Sequence, residues 1–240
     1  MRKHCKLAIS AAIVSFGLGV TSSAQASSIT LSTSDSQLTE GYNNQGWWNT
    51  YTSNFDYNSN DNDNYLTGKL SKTVYRSFFT FDVSVLKNRP ISSATLKIQR
   101  FQGSGYSTHT LGLFDVSTPA IALNQKVNNP DLSIYDDLGS GKSYGNFKVT
   151  SFGDKNEVLN FSLNSNAIAD INAKDEKYFS IGAALLGDLK PAYQYLFAYS
   201  ADTPVKLVVT TASVPEPLTL GGTVVAGAMG WWIKRKRQAR

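Results

Sequence analysis

The chain has 240 residues and a formal charge of +5, from 23 basic and 18 acidic residues. The excess positive charge sits at the two ends: between Ser27 and Ser213 there are 15 Lys and Arg against 17 Asp and Glu. A body with that balance lacks the basic stripe that nucleic acid requires, so nucleic acid is excluded as a partner. Residues 1–26 read as a signal peptide. Arg2, Lys3 and Lys6 form a basic start, Leu7–Val20 is a short apolar run, and Ala24-Gln25-Ala26 is an A-x-A cleavage site. The apolar run is shorter than the roughly 20 residues a membrane span needs. The mature chain is therefore expected to begin at Ser27. The only cysteine, Cys5, leaves with the signal, so the exported protein is expected to have neither a disulfide nor a thiol nucleophile.

The body, 27–213, shows little helical periodicity and repeated two-residue alternation. In chain order, Ser28–Thr33 reads as a weak strand. Ser77–Val83 places Phe79, Phe81 and Val83 on one side and Phe78, Thr80 and Asp82 on the other. In Ala94–Phe101, Ala94, Leu96 and Ile98 face inward. Thr110–Val116 and Gly145–Phe152 are weaker strands. Val158–Leu163 turns Leu159, Phe161 and Leu163 inward. Asn164–Ala173 has the one helical hint, with Ile168 and Ile171 three apart, and is expected to form one or two turns. Phe179, Ile181, Ala183 and Leu185 make another inward row, followed by a weak strand at Tyr195–Tyr199 and a clear one at Val205–Thr211. Strands with one apolar face are mostly antiparallel and must be covered by a second sheet. The expected fold is all-β, an antiparallel jelly-roll-like β-sandwich forming one domain. The string Phe-Asp-Val-Ser recurs at Phe81 and Phe114, and recurring strand ends explain it without an internal repeat.

The C-terminal segment, 214–240, has three parts. Pro215-Glu216-Pro217 precedes an uncharged span over 218–233, and a basic tail over 234–240 opens with Lys234-Arg235-Lys236-Arg237. As a helix the span reaches roughly 24 Å. The prolines stop it on one side, Trp231 and Trp232 suit a headgroup interface, and the basic tail favours the cytoplasmic side. This is read as a transmembrane sorting helix. The arrangement resembles the PEP-CTERM sorting domain of Gram-negative envelope proteins, with Pro215, Glu216 and Pro217 as the motif residues. That resemblance implies an exosortase-like processing enzyme as partner. It also implies a membrane-held intermediate in the inner membrane and final delivery to the cell surface or extracellular matrix.

A second resemblance covers roughly Leu38–Phe101. Asn64-Tyr65-Leu66-Thr67-Gly68, then Arg76–Ser84, then Ile91–Ile98 look like the first half of a DNRLRE-type domain, although the literal Asp-Asn-Arg-Leu-Arg-Glu string is absent. The group is similar to β-sandwich carbohydrate-binding modules of secreted proteins. The matched residues are core residues, so the resemblance implies a fold and carries no catalytic residue onto this chain.

Tyr42–Tyr65 is the most unusual stretch, with eight Asn and two Trp. Trp47, Trp48 and Tyr51, with Asn49, form a candidate carbohydrate-binding set: aromatic faces stack on sugars, and amides donate to and accept from hydroxyls. The partner would be an extracellular polysaccharide. The competing reading is a turn-rich loop whose tryptophans cap the core. Asp61 and Asp63 are candidate Ca²⁺ ligands, completed by distant carboxylates such as Asp56 or Asp82. The alternating pattern of a calcium loop fails at Tyr65, and a solvated turn competes; no other cofactor is expected. Gly139–Ser143 resembles the end of a phosphate loop, but Asp136 stands where its first glycine belongs. The body has one histidine, His109, read as a loop residue, and its Glu are Glu40, Glu157 and Glu176. No catalytic residue is assigned. The expected function is a non-catalytic structural or adhesive component outside the cytoplasm. A carbohydrate-binding module is the alternative, and a secreted polysaccharide hydrolase or lyase the third reading.

Overall fold

The structure is a computed structural model that describes residues 26–50, 56–58, 64–126, 131–173, 176–198, 200 and 203–212. The predicted signal peptide and sorting segment lie outside the described residues. The strands are β1 (Ser28–Ser32), β2 (Gln45–Thr50), β3 (Asp56–Asn58), β4 (Thr67–Leu70), β5 (Thr73–Asp82), β6 (Ile91–Gln99), β7 (Gln102–Ser104), β8 (Thr108–Asp115), β9 (Ser143–Thr150), β10 (Val158–Ser162), β11 (Tyr178–Leu186), β12 (Tyr193–Ala198) and β13 (Lys206–Thr211). Three short helices interrupt them: α1 (Ala120–Leu123), α2 (Leu132–Asp137) and α3 (Ser165–Ala173). The chain is thus all-β, and every strand pairing is antiparallel.

The strands form two sheets. One has four strands in the order β1-β13-β6-β10; the other has nine and is organised around β5. Val74 and Tyr75 pair with both β2 and β4, while Ser77–Phe79 pair with both β2 and β11. A strand has only two edges, so β2 runs along one edge of β5 and β4 and β11 share the other. The large sheet forks there, one branch continuing through β8 to β9 and the other through β12 to β7.

The core forms where the apolar rows of the two sheets meet. Phe79, Phe81, Ile181 and Leu111 of the large sheet pack against Leu96, Ile98, Phe161 and Leu207 of the small one, all nearly or fully buried. All of these but Leu111 belong to rows the alternation assigns inward. A buried polar knot fastens the sheets at one end. Thr33 Oγ1 donates to Gln45 Oε1 (2.7 Å), Gln45 Nε2 donates to Thr203 O (3.0 Å), and Val205 N donates to Gln45 Oε1 (3.1 Å).

The large sheet is also covered on its other face. Trp48, Phe78, Leu123, Ile134, Tyr135 and Leu138 form a second cluster beneath α1 and α2. Asp131 caps α2 by accepting from Ser133 N (3.0 Å). Arg76 on β5 holds the far end, donating to Tyr135 O (2.9 Å) with its guanidinium over the Tyr135 ring. At Gly182 on β11 a Cβ would lie 2.6 Å from Leu138 O, so this layer can approach only a glycine. The helical hint at 164–173 is fulfilled by α3, a nine-residue helix that Asn164 caps by accepting from Asn166 N (3.0 Å).

Because Phe78 and Phe79 are buried on opposite faces of one strand, both should matter to stability. Phe78→Ala and Phe79→Ala are each expected to cost about 3–5 kcal/mol in urea unfolding. A loss below about 1 kcal/mol for Phe78→Ala would show that the helical layer is not part of the cooperative fold.

Candidate functional site

Within the Asn- and Trp-rich stretch, Gln45–Thr50 is a strand and not a loop. β2 lies in register with β5, Trp47 opposite Ser77 and Trp48 opposite Arg76. Neighbouring residues of a strand point to opposite faces, so Trp47 and Trp48 diverge. Trp48 is fully buried in the outer cluster, and its indole donates to Leu123 O (3.2 Å). It offers no ring face to a ligand. Asn49, on the Trp47 side, is also buried, and its Oδ1 has no hydrogen-bond partner among the described residues. Tyr51, Asp61, Asp63, Pro215, Glu216 and Pro217 lie outside the described residues.

Trp47 remains half-buried at the surface. Its Nε1 donates to Asn64 Oδ1 (3.1 Å), and its ring meets Tyr75 edge to face, with centroids 4.9 Å apart. Register brings a further aromatic alongside: Tyr75 pairs with Gly68 of β4, and Gly68 with Tyr195 of β12. Trp47, Asn64, Tyr75 and Tyr195 line a recess of about 240 Å³, below the usual range for drug-sized ligands and suited to a single ring. Gly68 has φ +120°, and a Cβ there would lie 2.2 Å from Gln194 O, so glycine is what lets β4 and β12 close beneath the recess. The sequence marked Trp47 as an aromatic but gave no reason to pick Tyr75 or Tyr195, which join it only through strand pairing.

The other chemically suggestive groups are already engaged. His109 is a buried residue of β8, on the inward row with Leu111 and Leu113, and its Nε2 lies 2.8 Å from Ser104 O. The loop reading failed because neighbouring Gly and Ser residues masked the alternation. Asp82, offered as a distant Ca²⁺ ligand, accepts from Ser84 N (2.9 Å) and pairs with Lys177 (3.4 Å). Burial works to raise its pKa, but hydrogen bonds from Ser36 and Ser84 and the Lys177 charge hold it below the usual carboxylate range. Among the described residues no group of three or more His, Cys, Asp or Glu side chains is placed to hold a metal. Gly139–Ser143 is the turn from α2 into β9; the helix precedes it, whereas a phosphate loop needs a helix N-terminus after it.

A cleft of about 440 Å³ is lined by Asp115, Asp170 and Glu176 together with Tyr144. Two of its carboxylates, Asp170 and Asp115, are held by neighbours. Asp170 Oδ1 pairs with Lys142 Nζ (2.6 Å), Asp170 Oδ2 accepts from Tyr144 Oη (2.9 Å), and Asp115 Oδ1 accepts from Lys142 N (2.5 Å). Burial, then the Asp170 hydrogen bond and charge, raise the Tyr144 pKa and keep its phenol protonated.

Asp137 is a stronger clamp. Its carboxylate accepts from the backbone N and the hydroxyl of both Ser117 and Thr118, at 2.6–3.0 Å. Burial works to raise its pKa, and these four bonds outweigh burial and lower it. A depressed carboxylate stabilises the fold above its unfolded pKa, about 3.9, and that stability is lost as pH falls through the folded value. Asp137→Asn is therefore expected to cost about 2 kcal/mol at pH 7. The gap to wild type should narrow as pH drops below about 4, measured by urea unfolding across pH 2.5–7; a gap independent of pH would refute the clamp. Among the described residues no helix is long and apolar enough to cross a membrane. No protein-family model matches the chain, and no curated protein is significantly similar to it.

Proposed function

We propose that this chain is an exported protein whose jelly-roll-like sandwich serves, without catalysis, as a structural or adhesive component at the cell surface or in the extracellular matrix. The observation that carries the structural reading is the use made of its buried and half-buried charged and titratable side chains. Arg100, nearly buried, joins Glu157 (2.8 Å) to Thr150 Oγ1 (3.1 Å) and Thr150 O. Asp137 ties α2 to the 117–118 loop, Asp82 ties β5 to Lys177, and His109 ties β8 to β7. Each binds two chain segments together, as a scaffold requires. Export and sorting rest on the sequence of the two ends: the A-x-A site before Ser27, and Pro215-Glu216-Pro217 with the span and basic tail that follow. An exosortase-like enzyme is the processing partner in this reading. Mass spectrometry of the protein recovered from the cell surface is expected to find Ser27 as the N-terminus and a C-terminus near Pro215–Pro217. A surface protein ending at Arg240 would refute processing.

The Trp47 recess favours a second reading, a carbohydrate-binding module. A half-exposed indole fixed by Asn64 and flanked by Tyr75 and Tyr195 offers stacking faces and an amide to one sugar ring of an extracellular polysaccharide. On a glycan array Trp47→Ala is expected to weaken binding at least about tenfold, roughly 1.4 kcal/mol. Trp48→Ala should instead lower the unfolding midpoint. Absence of any glycan signal from the wild-type chain would remove this reading.

A further inference from the structure

The free edges of the two sheets are treated differently by the sequence, and one of them stands open. In an antiparallel pair the hydrogen-bonded residues alternate, so a bond just past each end of a ladder shows which residues point toward the partner and which point away. For β10, Arg100 N donates to Glu157 O (2.9 Å) and Leu163 N donates to Ala94 O (2.9 Å). The register of β10 with β6 is continuous between these bonds. Odd-numbered residues of β10 therefore bond to β6, and Val158, Asn160 and Ser162 turn their backbone N–H and C=O groups outward.

Applied to the edges at β1, β9 and β7, the same reasoning finds outward groups already engaged or the strand closely covered. On β1 the outward residues are 28, 30 and 32, and the Ser32 N–H is taken by Asp35 Oδ2 (2.8 Å). On β9 the outward residues are even-numbered. Tyr144 O accepts from Asn164 N (3.0 Å), Thr150 O accepts from Arg100, Lys148 stands between them, and the register shifts near Gly145. β7 has three residues, and at Gly103 a Cβ would lie 2.4 Å from Ser151 O. These are the devices by which sheets avoid pairing with other chains. β10, with the sequence Val-Leu-Asn-Phe-Ser, has no charge, no proline and no bulge. Among the described residues its outward groups have one partner, the Asn160 side chain, whose Nδ2 reaches Val158 O at 3.3 Å.

We propose that β10 pairs antiparallel with β10 of a second copy of this chain, about a two-fold axis at Asn160. The strand is self-complementary in that register. Asn160 faces its own counterpart, and Val158 faces Ser162 at both ends. All three outward-pointing residues then become hydrogen-bonded partners, and the two four-stranded sheets join into one of eight strands. Side chains agree with the register. Leu159, left half-buried at the rim of the core, falls opposite the partner's Phe161, and Val158, 51% exposed, falls beside the partner's Ser162. A two-fold contact uses the same patch twice and closes at the dimer. The pairing is independent of the Trp47 recess and of catalysis.

The test uses the full chain. Sedimentation of the wild type is expected to show a concentration-dependent dimer. Asn160→Pro should be monomeric yet keep its unfolding midpoint, because proline is tolerated where an edge N–H faces away from the sheet. In a Cys5→Ser background, Asn160→Cys should give a disulfide-linked dimer under mild oxidation. Facing Cα atoms of a hydrogen-bonded pair lie about 5.5 Å apart, within disulfide reach. Ser28→Cys on the β1 edge should give no disulfide-linked dimer under the same treatment. A wild type monomeric at every concentration, a dimer that survives Asn160→Pro, equal cross-linking from Ser28→Cys, or a ladder of higher oligomers would each overturn the proposal.

Discussion

Strand β5 is buried on both faces over Ser77–Asp82 and hydrogen-bonded along both edges, and the rest of the architecture follows from those two demands. A strand with Phe79 and Phe81 on one side requires an opposing sheet; one that also carries Phe78 on the other requires a third layer. α1 and α2 supply that layer, although neither is long enough to be stable alone. They hold because Leu123, Ile134 and Leu138 have Phe78 and Trp48 to cover, and because Gly182 leaves room for the Leu138 backbone. The two partners sharing one edge of β5 produce the fork in the large sheet. That fork brings Tyr75 and Tyr195 into one row beside Trp47.

Polar groups inside such a layered body must find partners, and most of the chemically capable residues are used for this purpose. Gln45 links β2 to the Thr33 and Val205 ends of the small sheet. Thr80, Ser180 and Asn124 form a buried set between the large sheet and its helical cover, the Thr80 and Ser180 hydroxyls 2.8 Å apart and Asn124 Nδ2 donating to Thr80 Oγ1 (3.1 Å). These bonds fix which segments meet, a matter the apolar contacts alone leave loose. Among the described residues, the recess beside Trp47 and the outward edge of β10 remain at the surface.

The inward rows of β5, β6, β10, β11 and β13 were legible because each alternates cleanly over five or more residues. The strand class of the fold followed from them. β2 was missed because Trp47 and Trp48 are both large and apolar. With both faces of the sheet covered on that side, the alternation that would have announced a strand disappears. The helical layer was invisible for a related reason: α1 and α2 are too short to show a period, and the one local signal, Phe78 on the supposedly polar side of its strand, makes sense only once a third layer is known. The candidate site was half legible. Trp47 was marked by composition, whereas Tyr75 and Tyr195 lie far from it in sequence and are brought to it by register. The Phe-Asp string at residues 81 and 114 does mark strand ends, since Asp82 closes β5 and Asp115 closes β8.

Strand β13 is the last among the described residues, yet it lies inside the small sheet, between β1 and β6. Ser27, at the start of the body, donates its backbone N–H to Thr211 Oγ1 (3.1 Å), 184 residues away. The first strand therefore has no sheet to join until almost the whole body has been synthesised. Topologies dominated by such distant pairings fold slowly, and here the delay is written into the strand order. Until β13 emerges the small sheet cannot close on β1, an order of assembly compatible with the export proposed above.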